Sequence, residues 1–330
     1  MLRYISKRLL LVIPVAFCVL VLVFTISKLS PGDPVITILG LSYSPERYEE
    51  KSVELGLDKS FIRQLLDYVR NLVTRFDLGK SYQTNIPVAE ELANRMPITI
   101  RLGLSSVAIS IIIGIPLGIF SAIKQYSTLD ISFTSAALIF AAIPGFVLAL
   151  VLLMIFAGQL RWLPVIGGGA RIRGWILPVT SNSMFGIAIM IRMTRTAMLE
   201  VVRQDYIRTA RSKGLGEVTV ICKHALINAL IPVVTAVGGQ IAFILAGSVI
   251  VETIFSMPGL GMYLVSGIQS RDYPVINGIV IVLAFFICLI NLLVDIVYAF
   301  IDPRIKAQYT SLVKKRRIAQ NAIEGGGDVA

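Results

Sequence analysis

The sequence predicts an all-α integral membrane protein with six transmembrane helices and an external helical insert between helices 1 and 2. Of its 330 residues 55% are hydrophobic, and the mean hydropathy is +0.78. Only 15% are charged, whereas roughly a quarter are charged in a typical soluble domain. The apolar residues also come in long blocks. This pattern excludes most soluble enzymes, disordered proteins and a nucleic-acid partner, despite the net charge of +11.

Six apolar blocks are long enough to cross a bilayer, which takes about 20 residues. The predicted spans are Leu9–Leu29, Ile98–Ile123, Ile131–Phe156, Ile176–Met193, Ile231–Phe255 and Val275–Ile301. The first is longer than the apolar region of a cleavable signal peptide, so we expect it to be retained. Pro144-Gly145 interrupts the third span. Gly114 and Gly118 in the second are spaced for close packing against another helix.

Residues 30–97 differ from the rest of the chain, since they contain eight Lys or Arg, ten Asp or Glu and no spanning run. Ser44-Pro45 indicates an N-cap followed by Pro at the first helical position, and this helix is expected to end near Gly56. A second helix is predicted from about Ser60. Its apolar residues recur at helical spacing and indicate one face that packs on the bundle: Phe61, Leu65, Leu66, Val69, Leu72, Val73 and Phe76.

An even number of spans places both termini on one side of the membrane. The positive-inside rule assigns that side to the cytoplasm, because 17 of the 31 Lys and Arg fall there with only seven Asp and Glu. The predicted organisation is residues 1–29 as the cytoplasmic N-terminus and first span, and 30–97 as the external insert. Residues 98–301 form a five-helix core with a cytoplasmic loop at 194–230, and 302–330 form a basic tail.

Two external features stay open at this point. Arg161, Arg171 and Arg173 lie in an outer loop against the charge rule, and the sequence offers no account of them. The segment 256–274 contains Pro258-Gly259-Leu260-Gly261, which fits either an external loop or a partly re-entrant one.

The chain contains few residues suited to chemistry. His224 is its one histidine, which excludes most metal sites and every Ser-His-Asp arrangement within the membrane. Cys222 and His224 offer two ligands, where zinc takes three or four. Gly79-Lys80-Ser81 resembles the end of a phosphate-binding loop, but Thr74 stands where that motif needs glycine. We therefore predict no cofactor in this chain and no enzymatic activity of its own.

Asp295 is the only clear ionisable residue within a predicted span. Such residues are functional candidates by default, and a structural or gating role is the preferred interpretation here. A proton relay is the alternative, although a proton-coupled carrier usually shows further carboxylates or histidines along its path. Cys18 and Cys288 also lie in apolar runs, and we predict that both are buried and unreactive.

The loop at 194–230 has a helix–break–helix pattern. A helix from Asp205 to Lys213 is followed by Gly214-Leu215-Gly216 and then by a short helix from about Glu217. Gly214 would let the chain turn, because glycine tolerates positive φ. A basic stretch lying on anionic lipid would explain the charge, but neither the break nor the second helix. A short helix that projects from a membrane bundle suits a groove in another protein.

This loop resembles the cytoplasmic coupling loop of ABC-importer permeases, whose pattern is Glu-Ala-Ala, three residues, Gly, nine residues and Ile-x-Leu-Pro. Arg208-Thr209-Ala210 falls on the Glu-Ala-Ala, and Ala210, Gly214 and Leu226 match literally. The runs 205–215 and 224–232 are similar to the dipeptide/oligopeptide/nickel branch. Further motifs over residues 1–306 resemble its B-type subunit: Pro31-Gly32-Asp33-Pro34, Asp77-Leu78-Gly79, Glu252-x-x-Phe255-x-x-Pro258-Gly259-Leu260-Gly261 and Asp302-Pro303-Arg304.

The resemblance implies the type I ABC-importer permease fold in a prokaryotic plasma (inner) membrane. It also implies ATP-driven import of di- or oligopeptides, with nickel, a metal chelate or another small solute as alternatives. The implied partners are a second homologous permease, two cytoplasmic ATPases that bind ATP and Mg²⁺, and an external substrate-binding protein. The implied coupling residues are Asp205, Arg208, Ala210, Gly214, Leu215, Gly216, Glu217 and His224.

Three other classes of membrane protein were considered. An ion-coupled secondary transporter would be expected to carry more charge in its spans. A channel would conduct passively, and only the 256–274 segment hints at a re-entrant element. A membrane-embedded enzyme would need catalytic residues that this chain lacks. Co-purification with an ATPase separates the importer from all three.

Overall fold

The computed structural model describes residues 2–29, 32–40 and 43–301, and regular structure in these ranges is helical. The helices are α1 (Leu2–Leu29), α2 (Pro34–Leu39), α3 (Pro45–Glu54), α4 (Phe61–Arg75), α5 (Val88–Ile123), α6 (Thr128–Ala142), α7 (Gly145–Leu152), α8 (Arg173–Val202), α9 (Asp205–Ser212), α10 (Glu217–Thr219), α11 (Leu226–Ile254), α12 (Leu260–Ser270) and α13 (Tyr273–Ile301). Two π-helical segments, Leu153–Gln159 and Val220–Ala225, extend α7 and α10. The predicted tail, residues 302–330, lies outside the described residues.

The predicted all-α membrane bundle is confirmed. Among the described residues, α5, α8, α13 and the continuous helix that contains α11 are each long and apolar enough to cross a membrane. The helix pair Thr128–Ala142 and Gly145–Gln159 supplies a fifth crossing if the two count as one span. The predicted first span, α1, has a described apolar stretch at Ile13–Leu29.

The third predicted span is sharply broken. The axes of its two halves differ in direction by 100°. Ile143 adopts an extended backbone, with φ −78° and ψ 123°. The following residue, Pro144, disfavours a helical conformation at the position before it and has no N–H to continue the helix. The sequence located this break, but the size of the bend comes from the structure.

The helix that contains the second predicted span begins ten residues before that span. α5 starts at Val88 and continues through Pro97. Glu91 pairs with Arg95 one turn later at 2.8 Å, and the acidic residues of the first turn suit the helix dipole. Packing of the buried Val88 against the bundle holds this stretch in place ahead of the predicted apolar run.

In the insert, the predicted caps of the first helix are confirmed. The Ser44 side chain accepts a hydrogen bond from the Arg47 N–H at 3.3 Å, and Pro45 is the first helical residue of α3. α4 begins directly after Ser60, as expected. Only part of its predicted apolar face packs on the bundle.

α5 and α8 run parallel and approach each other closely. Near their starts, the Arg101 guanidinium lies 4.6 Å from the centre of the Trp175 ring. Near their other ends, Gly118 packs on Thr194, where an added Cβ would lie 2.6 Å from the Thr194 Cβ. An added Cβ at Gly114 would lie 3.1 Å from the Ile187 carbonyl oxygen. The predicted close packing through both glycines is confirmed.

The insert and the 194–230 loop lie at opposite ends of the bundle. At the insert end, Lys28 near the end of α1 sits over the ring of Tyr273, the first residue of α13. The insert residue Ser81 donates a hydrogen bond of 2.5 Å to Asp272, just before α13. At the loop end, Ala122 of α5 shares a buried cluster with the loop. We call these the insert end and the loop end.

Buried ionisable groups occur at both ends, so the prediction that Asp295 is the only clear one in the spans is incomplete. Asp130 accepts two hydrogen bonds from Arg195, at 2.7 and 2.8 Å, which fixes the start of α6 to α8 at the loop end. Ser121 and the backbone N–H of Tyr126 also donate to this carboxylate. The side chain of Asp295, in α13, lies outside the described part of the chain.

Glu252 is another buried carboxyl group and lies at the insert end. Its Oε2 accepts from the backbone N–H groups of Gly261 and Met262, at 2.6 and 3.3 Å, and thereby caps the first turn of α12. The Leu260 N–H donates to the Thr99 hydroxyl at 2.9 Å. The 256–274 segment therefore contains a short helix, α12, that packs at the insert end of the bundle. Both the first and the last turn of α12 lie on that side.

The cysteine prediction is wrong for Cys18, whose side chain is exposed, while Cys288 is half-buried. Both lie on apolar helices, yet neither side chain is fully buried. An apolar run therefore does not imply burial within the protein in this chain, because the outer faces of the spanning helices are apolar as well.

Replacing Gly118 by Ala should destabilise the protein by about 1–3 kcal/mol, because the new methyl group would overpack the α5–α8 contact. The added Cβ would also lie 2.8 Å from the Ile191 carbonyl oxygen, which belongs to the backbone. The measurement is the thermal unfolding midpoint of the purified protein in detergent. Gly239→Ala is the matched control, since Gly239 is also within a helix and no heavy atom lies within 4 Å of the place where its Cβ would sit. Equal midpoints for the two variants would contradict the close-packing interpretation.

Candidate functional site

The candidate site is the loop that joins α8 to α11. α8 ends at Val202, and α9 begins three residues later at Asp205, where an acidic residue suits the helix N-terminus. The predicted first helix of the loop is thus confirmed to within one residue. The predicted second helix begins at Glu217, but it continues through the π-helical segment into α11 without a break. The loop is therefore one short helix and one turn attached to a long spanning helix.

One face of α9 is anchored in the bundle. Ile207 is fully buried and Ala210 nearly so. They share an apolar cluster with Met198 of α8 and with Val220 and Ile221 of the π-helical segment. Ala210, predicted as a site residue, is therefore a packing residue that holds α9 against its neighbours. Asp205 and Arg208 lie on the exposed side of the same helix.

Gly214 makes the turn that follows α9. Its φ is +77°, in the left-handed region that glycine adopts without strain, as the sequence predicted. No heavy atom lies within 4 Å of the place where a Cβ would sit. The requirement for glycine here comes from the backbone alone. Gly216, two residues on, is extended, with φ −62° and ψ 144°.

An ion pair spans the turn, with one partner before Gly214 and the other after it. The Arg211 side chain donates two hydrogen bonds to the Glu217 carboxylate, at 2.6 and 3.1 Å. The hydrogen bonds that Arg211 donates to Glu217 raise the pKa of the Arg211 guanidinium above its ordinary value. Glu217 was predicted as a site residue but Arg211 was not. A separation of six residues is not a helical contact spacing, so only the turn at Gly214 brings the pair together.

The turn presents an apolar patch to solvent. Leu215 is 40% exposed and Val218 is 76% exposed. Arg208 and Lys213 are exposed in the same loop and add positive charge to it. Two exposed aliphatic side chains suit contact with a protein surface better than solution, because large apolar side chains gain most from being covered.

His224 is separate from this exposed patch. It lies in the π-helical segment and is half-buried. Its carbonyl oxygen accepts a hydrogen bond of 3.0 Å from the Asn228 side chain, which also donates to the Tyr206 hydroxyl at 2.9 Å. This Tyr206–Asn228 contact ties α9 to the start of α11. The structure thus brings residues 205–217 together and leaves His224 on the bundle side of the loop.

Within the described ranges, the ionisable side chains do not form a group of three or more that could hold a metal ion. The contacts of the loop instead hold an exposed surface in a fixed position. One face of α9 is packed, the turn is closed by an ion pair, and the outward patch is left uncovered.

Family models match almost the whole chain. The model described as "Binding-protein-dependent transport system inner membrane component" matches residues 114–307. A second model, for the N-terminal part of such membrane components, matches residues 1–103. The 194–230 loop lies within the first match, and the whole insert, residues 30–97, lies within the second.

Curated relatives match over nearly their full length. A putative peptide transport system permease protein of Brucella abortus is 43% identical over 309 residues, which cover 92% of this chain and 98% of that protein. The dipeptide transport system permease protein DppB of Alkalihalophilus pseudofirmus is 42% identical, covering 93% of this chain and 100% of the relative. DppB of Escherichia coli K12 is 38% identical, with 93% and 99% covered.

The fold resembles a solved transporter structure. The MetNI methionine ABC transporter, in an inward-facing conformation, gives a TM-score of 0.56 with 18% sequence identity. The match covers 64% of this chain and 96% of that chain. At this identity, the likeness supports the type I permease fold alone.

Glu217→Gln should loosen the turn, because it removes the charge that holds Arg211 across it. Trypsin should then cut after Arg211 or Lys213 about two- to fivefold faster, a range consistent with the loss of one exposed ion pair. The measurement is the rate of appearance of the two fragments in limited proteolysis. Glu200→Gln, at an exposed position near the end of α8, is the matched control. High salt should erase the difference, and equal rates at low salt would contradict the role assigned to this pair.

Proposed function

The chain belongs to the family of binding-protein-dependent transport system inner membrane components, and we propose that it is the permease subunit of an ATP-driven importer of di- or oligopeptides. Its relatives are transport permeases, several of them named for peptides or dipeptides. The observation that carries the proposal is the loop, in which a packed α9 holds an uncovered turn away from the bundle. In this proposal the bond chemistry of ATP hydrolysis belongs to partner ATPases, which bind the ATP and Mg²⁺.

The turn is the proposed contact with the ATPase. Leu215 and Val218 would enter a groove on the nucleotide-binding subunit, and Arg208 would contact its rim. Movement of the turn would pull on α9, whose Ile207 packs against α8 and the start of α11. Because α8 is packed along α5 through Gly118, these helices would move as a rigid body.

The proposed orientation follows the charge asymmetry. The loop end would face the cytoplasm with both termini, and the insert end would face the outside of a prokaryotic inner membrane. A second homologous permease would complete the translocation pathway, and an external binding protein would deliver substrate at the insert end. Asp295 stays a candidate gating residue.

Peptides are the preferred substrate because relatives that align over their full length are named for them. A nickel or metal chelate, or another small solute, is the alternative. Mass spectrometry of the ligand that co-purifies with the binding protein distinguishes these cases, and a chelated metal as the only ligand would overturn the peptide assignment.

The importer is distinguished from an ion-coupled secondary transporter by its energy source. In the proposal, the full-length chain co-purifies with ATPase subunits, and uptake into proteoliposomes requires ATP on the loop side. Uptake that follows an ion gradient, without an ATPase, would overturn the assignment.

Gly214→Val should uncouple ATP hydrolysis from uptake, because a β-branched residue is strained at φ +77° and the turn would have to change shape. Uptake by the assembled complex should fall at least about tenfold, while the chain still assembles, since the position is open on all sides. ATP-driven uptake and subunit stoichiometry are measured together.

Gly216→Val is the matched control for this experiment. Gly216 is equally open, but its backbone is extended, which a β-branched residue accepts. This variant should transport at a rate close to that of the unmodified protein. Normal uptake by an assembled Gly214→Val complex would overturn the proposed coupling role.

A further inference from the structure

Helix α4 of the insert carries an arc of apolar side chains, and only one edge of this arc packs against the rest of the protein. At 100° per residue, its apolar positions cover a continuous arc of about 160°, consistent with an amphipathic helix. One edge of the arc faces the bundle. The ring of Phe24 in α1 lies 5.5 Å from that of Phe61 and 6.1 Å from that of Tyr68. Leu72 packs on the buried cluster that includes Val88.

The other edge of the arc is uncovered. Ile62, Leu66 and Val73 fall within about 40° of one another on the helix and are 67%, 61% and 68% exposed. We call these three residues the α4 facet. Arg63 and Arg70 come next around the helix, and both are exposed. An apolar strip bordered by arginines is the pattern of a helix that lies in a membrane interface.

The depth of α4 agrees with that pattern. Phe24, on which α4 rests, lies five residues before the end of α1, or about 7–8 Å along the helix axis. Beyond it, α1 still exposes apolar side chains, with Ile26 at 59% and Leu29 at 79%. The hydrocarbon boundary on the insert side therefore lies near the level of α4, where apolar surface and head groups meet.

We propose that the α4 facet is a membrane-contact surface, embedded among the lipid head groups and upper acyl chains on the insert side of the bilayer. Arg63 and Arg70 reach the lipid phosphates from its border, with their apolar stems along the same surface. The opposite edge of the arc holds the bundle through Phe61 and Tyr68. α4 thus fastens the insert to the lipid surface beside α1, whichever side of the membrane the insert occupies.

Two features indicate that lipid covers the α4 facet: the position of α4 on α1, and the positive charge at the border of the facet. The helix that carries the facet rests on Phe24 of α1, and α1 exposes apolar side chains such as Ile26 and Leu29 at the same level, as a membrane-spanning helix does toward lipid. Its flanking guanidinium groups suit the phosphates of phosphatidylglycerol and related anionic lipids. A protein cover is therefore treated as an outcome that would overturn the proposal.

Spin labels test the facet directly. Leu66→Cys and Ile62→Cys are made in the full-length chain, in a background where Cys18, Cys222 and Cys288 are replaced by Ser. The labelled protein is reconstituted in vesicles of phosphatidylethanolamine and phosphatidylglycerol. Electron paramagnetic resonance then compares collisions of each label with oxygen, which enters lipid, and with a water-soluble nickel chelate.

Thr74→Cys is the matched control, because Thr74 is exposed on the polar side of the same helix. The ratio of oxygen to nickel accessibility should be several-fold higher at both facet positions than at residue 74. A ratio at the facet equal to that at residue 74 would place the facet in water and overturn the proposal. Low accessibility to both reagents would show a protein cover and would overturn it equally. The facet positions are exposed, so these substitutions do not disturb the core.

Discussion

The close approach of α5 and α8 is the contact on which the other helices depend. Without a hydrophobic drive between helices in lipid, association requires small residues and interhelical hydrogen bonds. Gly114 and Gly118 let the backbones meet, and Ser110 donates to the Ser183 carbonyl oxygen across the interface at 3.1 Å. The Asn182 side chain adds a hydrogen bond of 3.2 Å to Ser106. Because the two helices are parallel, this contact connects the insert end to the loop end.

Buried carboxyl groups fix the chain where helices leave this central pair. A buried charge is costly unless it is paired and hydrogen-bonded, and both groups receive several donors. Asp130 binds Arg195 and so ties the start of α6 to α8 at the loop end. Glu252 caps α12 and so holds the chain between α11 and α13 at the insert end. These contacts place buried carboxyl groups at the two ends of the bundle, while uncharged polar side chains such as Ser110 and Asn182 lie between them.

The surfaces proposed for partners lie beyond these fastenings. At the loop end, α9 and the Gly214 turn present Leu215 and Val218 away from the bundle. At the insert end, α4 is attached through Phe24 and leaves its own apolar facet free. Arg161 and Arg171, before α8, and Arg173, its first residue, are also exposed, and the structure assigns them no ion pair among the described residues. In both proposed surfaces, one edge of a short helix packs against the bundle and the other edge is exposed.

The sequence by itself determined the elements whose cause is local. Hydrophobic runs set the spanning helices, Ser44-Pro45 set the start of α3, and the need for positive φ set Gly214. Tertiary structure decided whatever depends on residues far apart in the chain. It extended α5 past Pro97, paired Asp130 with Arg195 and Arg211 with Glu217, and covered only half of the α4 arc. The physical reason is that helical periodicity shows which side chains share a face, whereas burial and ion pairing depend on which other helix occupies that face.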